Sequence, residues 1–419
     1  MLGTLTREQR SAIVATFLGW TLDAFDFFLL TFVMTDIAKE FGADVPAVAA
    51  AIALTLAMRP VGAFIFGLLA ERFGRRPVLM LDILFYSAMG LATAFAHSLE
   101  TLLLLRALFG IGMGGEWGLG ASLALETVPP KARGLVSGIL QQGYAAGYLL
   151  AAILFWTVYD WLGWRGMFVI GVVPALLVLY LRLSVKESPV WETVSKTRSG
   201  GGFAASLVDS MRGRWGLFIY VVVLMTCFNS LSHGSQDLFP TFLRKQHQFD
   251  PAETGAITVV ANIGAIAGGV LFGAWSERIG RRMSIVICAL LVVPLVWLYV
   301  VAQQPVTIAL SAFVVQFMVQ GAFSMVPVHL NELSPEGTRG TFPGFTYQLG
   351  NLFSSQNQIF QARFAVGHGN NYGLAIALLT AGAAMLVAVV SWLGPERKGV
   401  AFAGQEAGTG NTAEAAKGE

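Results

Sequence analysis

The sequence predicts an all-α membrane protein of twelve transmembrane helices arranged as two pseudo-symmetric six-helix bundles. Two observations predict it. Of 419 residues, 55% are hydrophobic and only 12% charged, with a mean hydropathy of +0.65, and two unlike motifs each recur at the same offset of 206 positions. A water-soluble domain is about a quarter charged, so this chain needs lipid as its solvent.

Apolar runs of about 20 residues, long enough to cross a bilayer as helices, recur along nearly the whole chain. The first, 11–33, follows a polar start and contains Asp23 and Asp26, so no cleaved signal peptide is expected. The runs 47–70, 77–96, 101–125, 135–159 and 165–183 complete a first set of six. The runs 214–239, 254–275, 282–301, 306–330, 341–364 and 372–393 make a second. The domain reading is an N-terminal bundle over 1–183, a linker over 184–213 rich in Ser, Gly and charge, a C-terminal bundle over 214–395 and a disordered polar tail over 396–419. Cys227 and Cys288 each lie inside an apolar run and read as space-fillers rather than a disulfide.

Counting connections from the N-terminus puts Arg10, Arg72, Arg75, Arg76, Lys131, Arg133, Arg278, Arg281, Arg282 and Arg339 on one side. Few basic residues beyond Lys39, Arg165, Arg244 and Lys245 fall on the other. Basic loops stay in the cytoplasm, so both termini are expected there and the membrane is expected to be a bacterial inner membrane. The net charge of +2 is too small to imply nucleic acid.

The offset relates Gly67, Glu71, Arg72, Gly74, Arg75 and Arg76 to Gly273, Glu277, Arg278, Gly280, Arg281 and Arg282. It also relates Glu126 and Arg133 to Glu332 and Arg339. In such loops glycine permits a tight turn, and the acid can hold an arginine or a helix end. These residues are candidates for gating, not for substrate contact. Two six-helix halves repeated in the same order imply an axis along the membrane normal.

These loops, with the Arg106-Ala-Leu-Phe-Gly110-Ile-Gly112 stretch, resemble the major facilitator superfamily over 11–393. Glu stands here at the loop position where Asp is commoner in that family. The resemblance implies alternating access, in which two halves rock about a site near the midplane.

The seventh run carries Asn229-Ser-Leu-Ser232-His233-Gly-Ser235-Gln236-Asp237-Leu-Phe-Pro240-Thr241. Asn229, His233, Asp237 and Thr241 are four apart and share one helix face, expected to line an outward vestibule. Ionisable groups in hydrocarbon face a partner or a water-filled cavity; the plainer alternative is a polar network that ties helices together. The string also resembles the seventh-helix signature of lactate and pyruvate permeases in the sialate and monocarboxylate proton symporter branch, with every fixed position present. That resemblance implies substrate and proton roles for Asn229, His233 and Asp237.

In the first run Asp23 and Asp26 lie three apart, and the offset sets Asp23 against Asn229. A carboxyl in low-dielectric surroundings suits a group that loads and releases a proton. Asp26 reads equally as a structural partner of an arginine, and Glu116, amid glycines, is similarly open. Arg106 matches the superfamily's fourth-helix arginine, which the resemblance ties to coupling. Arg59, near mid-membrane, is the first choice to grip a substrate carboxylate with two parallel hydrogen bonds; its alternative is a permanent salt bridge to Asp23 or Asp26. Arg363 sits near a helix end, where it can snorkel. Gln142 and Gln348, related by the same offset, can bond a hydroxyl or carboxylate, and Tyr144, Phe345 and Tyr347 can narrow the pocket.

The expected activity is proton-coupled symport of a small monocarboxylate such as lactate or pyruvate. The rivals are sialic acid symport in the same branch and, more remotely, a membrane sensor that does not transport. No soluble catalytic site, metal or cofactor is called for: the glycines at 110–118 lie within a membrane run, not after a strand, and the remaining histidines lack ligand spacing. The expected partners are a small carboxylate, protons and the bilayer, and one chain suffices.

Overall fold

A computed structural model describes residues 6–128, 132–183, 213–334 and 342–398. The first half contains α1 (Arg7–Glu40), α2 (Val45–Phe73), α3 (Arg75–Thr93), α4 (Leu99–Thr127) and α5 (Arg133–Leu183). Gly163, at φ 60°, divides α5 into two spans, which the sequence reading separated at 160–164. The second half contains α6 (Trp215–Gln236), α7 (Phe239–Lys245), α8 (Pro251–Ile279), α9 (Arg281–Leu295) and α10 (Leu298–Val301). Then follow α11 (Pro305–Phe323), α12 (Val326–Leu333), α13 (Phe342–Ser354), α14 (Asn357–Gly367) and α15 (Tyr372–Leu393). Taking α6–α7, α9–α10, α11–α12 and α13–α14 each as one broken span gives twelve among the described residues. The expected linker falls almost wholly outside the described residues, as does the tail from 399.

Local chemistry explains several ends. Thr6 and Gln9 form a reciprocal capping box at the start of α1, and Asp250 with Glu253 forms another at the start of α8. Asp44 caps α2 through a 2.8 Å bond from the Ala47 N–H. Between α2 and α3, Gly74 adopts φ 98°, ψ 157°; between α8 and α9, Gly280 adopts φ 95°, ψ 161°. The sequence repeat is thus also a repeat of backbone conformation, in a region where a Cβ is strained.

Within the first half α1 packs on α5, α2 on α4, and α3 on both α4 and α5. Within the second, α8 packs on α11, α15 on α6 and α9, and α13 on α6. The halves meet along α5 with α8 and along α2 with α13 and α14. Large apolar side chains such as Leu104, Ile219, Leu310 and Leu386 point outward, as a surface facing lipid tails requires, while Arg59, Arg106, Asp237 and Gln348 are fully buried. This inside-out distribution makes the chain an integral membrane protein. The face holding the start of α1 and the α2–α3 and α8–α9 loops is called the basic face below.

Candidate functional site

Pro240 shapes the polar stripe. Lacking an N–H, it cannot bond the Gln236 carbonyl four residues back, and its ring crowds that carbonyl. The span therefore breaks between α6 and α7, where the sequence reading ran one helix through 239. The freed Gln236 carbonyl accepts from the Tyr148 hydroxyl at 3.1 Å, and the Gly234 carbonyl from Gln361 at 2.8 Å. Unwound backbone at this depth is tolerated where protein side chains satisfy it.

At the break His233 Nδ1 lies 3.1 Å from Asp237 Oδ2 and 3.4 Å from the Tyr144 hydroxyl. Gln358 of α14 donates to the same carboxylate oxygen at 2.6 Å. The group joins α5 of one half to α6 and α14 of the other. The stripe does not line an open outward vestibule here. Tyr148 of α5 bonds the Gln236 carbonyl, and Arg244 of α7 pairs with Asp36 of α1, and these two contacts between the halves close the face opposite the basic one.

Arg59 lies midway along α2 and is fully buried. Its Nη2 meets the Met113 sulfur at 3.3 Å, and its guanidinium lies 5.1 Å from the centre of the Phe27 ring. Nε and Nη1 have no hydrogen-bond partner among the described residues. The permanent salt bridge to Asp23 or Asp26 is not formed. An unpaired cation in such surroundings costs several kcal/mol, which an incoming anion would offset. Arg363, by contrast, is exposed near the end of α14.

The candidate amides Gln348 and Asn229 belong to helices α13 and α6 of the second half. Gln348 donates to the Gly114 carbonyl at 3.4 Å, and a Cβ at Gly114 would sit 2.0 Å from the Arg59 carbonyl, so Gln348 lies against the same close helix crossing. Asn229 donates to the Tyr347 carbonyl at 3.3 Å, and its Oδ1 has no partner among the described residues. Gln142 packs instead against Gly269 of α8, with neither amide atom bonded among the described residues. On the basic-face side of Arg59, Trp20 stacks on Tyr144 at 5.6 Å and Trp117 on Tyr347 at 4.2 Å. The second stack crosses between the halves. Phe345 lies apart, against Phe218.

Asp26 is directed toward Gly90 of α3 and Gly171 of α5, and Arg106 donates to its backbone carbonyl at 3.5 Å. Arg106 also lies 3.9 Å from the Phe109 ring centre. This pair belongs to the interior of the first bundle. Asp23 is fully buried within electrostatic reach of Tyr347 and Tyr86, and Glu116 lines a small cavity described below.

The loop residues hold the basic face together. Arg281 meets Glu277 at 2.9 Å and Glu332 at 3.3 Å, and Glu277 Oε1 accepts from the Gly134 N–H at the start of α5 at 2.6 Å. The acid of the second half thus caps a helix of the first. A Cβ on Gly273 would lie 2.9 Å from Gly138 Cα. Arg282 bonds the Gly394 carbonyl, Lys398 bonds that of Arg278, and Arg72 lies over the Phe73 ring. Gly67 is within α2 and Arg133 is buried at the start of α5. Arg339, and the side chains of Glu71, Arg75, Arg76 and Glu126, lie outside the described residues.

The sequence model of the Major Facilitator Superfamily matches residues 16–356. The chain belongs to this superfamily. It is a membrane transporter rather than an enzyme. A carboxylic acid transporter protein homolog of Saccharomyces cerevisiae is 30% identical over 87% of this chain, which spans 62% of that relative's length. A probable 4-methylmuconolactone transporter of Cupriavidus pinatubonensis is 29% identical over 82% of this chain and 81% of its own. The sialic acid transporter NanX of Escherichia coli is 27% identical over 92% and 94%. The solved proton:xylose symporter XylE superposes with a TM-score of 0.73 over 96% of this chain and 98% of that one, at 19% identity, a likeness of fold.

Residue-by-residue reading missed Gln358, Trp20, Trp117, Tyr148 and Gln141. Trp20 had a signal: it precedes Asp23 by three and so shares its helix face. The others are brought in by helix breaks and crossings between distant segments.

Proposed function

We propose that this facilitator couples the uptake of a small monocarboxylate, with lactate and pyruvate foremost, to the entry of a proton across a bacterial inner membrane. The carrying observation is Arg59, a buried guanidinium with two unbonded nitrogens at the level where the halves meet. An arginine fork matches a carboxylate, and a cation without a permanent partner is free to take a transient one. Asn229 and Gln348 then read the substrate's oxygens, while Gln142 stays against Gly269 of α8.

The proton rides on His233 and Asp237, which face each other one helical turn apart. Asp26 with Arg106, and Asp23, are the second place at which a proton can influence the first bundle. One anion and one proton cross together without net charge. The halves rock about this layer, with the Glu277–Gly134 contact closing the basic face and Arg244–Asp36 the other. The basic face is cytoplasmic, together with both termini, and a single chain suffices.

The carboxylic acid and 4-methylmuconolactone relatives support an acid as cargo. Uptake of labelled lactate or pyruvate into proteoliposomes, with and without an inward proton gradient, tests the reading; equal uptake in both conditions overturns symport. The likeness to NanX favours one alternative, sialic acid as cargo. Competition by sialic acid, with none by lactate or pyruvate, would select it.

A further inference from the structure

Beneath the stacked aromatic rings, toward the basic face, Thr16, Trp20, Glu116, Trp117, Gln141 and Pro327 line a cavity with room for about one water molecule. Glu116 is 2% exposed and Gln141 1%. Gln141 Oε1 accepts from Trp117 Nε1 at 3.4 Å, but among the described residues its Nε2 has no hydrogen-bond partner, and neither has Trp20 Nε1. Two orphaned buried donors beside a carboxylate are what an ordered water satisfies.

The cavity also adjoins the proton site. Trp20 of the cavity wall stacks on Tyr144, whose hydroxyl faces His233 beside Asp237, so this one ring pair separates the cavity from the proton site. From Gln141 back to the start of α5 at Arg133 is about 12 Å at 1.5 Å per residue. The cavity therefore lies between the central layer and the basic face.

We propose that Glu116, through a water held by Gln141 and Trp20, is the inner station from which the coupled proton leaves for the cytoplasm. The inference rests on the symport reading. The His233–Asp237 pair loses one proton, the Tyr144 hydroxyl takes one and gives one, and the Glu116 carboxylate becomes a carboxyl. When the basic face opens, that carboxyl returns the proton to cytoplasmic water, and no bond other than O–H or N–H changes. The ionisable groups sharing this neighbourhood are Asp23 and Asp26 of α1, Asp82 and Tyr86 of α3, Arg59 of α2 and Tyr347 of α13.

A group needed only to release the proton has a specific signature. Net uptake requires an empty, deprotonated carrier to return, whereas exchange of labelled for unlabelled substrate cycles the loaded carrier alone. In proteoliposomes, Glu116→Gln is expected to lower gradient-driven uptake of lactate or pyruvate by about tenfold or more and to leave equilibrium exchange within about twofold of the parent. Glu116→Asp should restore part of the net uptake. Gln141→Met, which keeps the side-chain volume and removes the orphaned amide, should show the same split more weakly. Undiminished net uptake in Glu116→Gln, or equal loss of uptake and exchange in both Glu116→Gln and Gln141→Met, overturns the assignment. Absence of gradient stimulation in the parent protein overturns the symport reading itself, a separate outcome.

Discussion

Gln358 donates a 2.6 Å hydrogen bond to Asp237 Oδ2, the same carboxylate oxygen that lies 3.1 Å from His233 Nδ1. Asp237 stands at the break after α6, and Gln358 in the first turn of α14, just past the break after α13. Two interrupted spans of the second half thus fix one carboxylate, and the imidazole follows it. The amide positions Asp237 without itself taking a proton. Gln358→Leu should lower gradient-driven uptake by about tenfold, with Gln358→Asn recovering part of it. His233→Ala or Asp237→Asn should abolish gradient-driven uptake while membrane insertion persists; full uptake in either would leave the stripe as a helix-tying network.

Arg59 is held in place mainly by the Phe27 ring and the Met113 sulfur, neither of which neutralises it. Arg59→Lys should raise the half-saturating substrate concentration about tenfold, or about 1.4 kcal/mol, because a point charge cannot reproduce a two-point grip. Arg59→Met should bind no carboxylate. Relief of an unpaired buried charge should also raise its melting temperature in detergent by about 2 °C or more when substrate is absent. A melting curve with and without lactate checks both halves of the claim: the parent should gain stability on adding lactate, and the methionine variant should not.

Electroneutral coupling separates the two components of the proton-motive force. An inward proton gradient should stimulate uptake, whereas an inside-negative potential set by potassium and valinomycin at equal pH should change it by less than about twofold. Strong stimulation by voltage alone would require more than one proton per anion, and would draw Asp26 or Asp23 into the stoichiometry.

The helices were legible because apolar runs of membrane-spanning length can do little else in lipid, and the 206-residue offset carried through to matching backbone angles at Gly74 and Gly280. The four-residue spacing of Asn229, His233 and Asp237 was legible for the same reason: helical geometry is local. Partners were not. Gln358 meets Asp237 across 121 positions, and Trp117 meets Tyr347 only where the halves close on each other. Spacing placed Asp23 and Asp26 on one face, yet Asp26 turns toward α3 and α5, a choice made by the glycines Gly90 and Gly171 that leave room for it. The span breaks were readable only in part, from Pro240 and Pro327, since hydropathy does not register where a helix loses one bond.

Closure of the basic face depends on backbone contact, and this yields a steric prediction. A Cβ at Gly118 of α4 would stand 2.8 Å from the Cα of Gly344 in α13, and the reverse substitution meets the same distance. Both approaches are to backbone, which cannot rotate away, and they lie on opposite halves of the molecule. Gly118→Val or Gly344→Val should therefore hold the halves apart on this side without unfolding either bundle. Net uptake and exchange should both be lost, since each requires the closed basic face. A cysteine introduced at Ala121 or Leu140, buried beside that seam, should react with a membrane-impermeant maleimide added from the basic side in these variants and be protected in the parent, while the native Cys227 and Cys288 stay shielded in the bundle. Gly216→Ala, with nothing within 4 Å of its Cβ, should transport normally. Unchanged labelling in both valine variants would mean that the halves part elsewhere, and the Glu277–Gly134 contact would then be the place to pry.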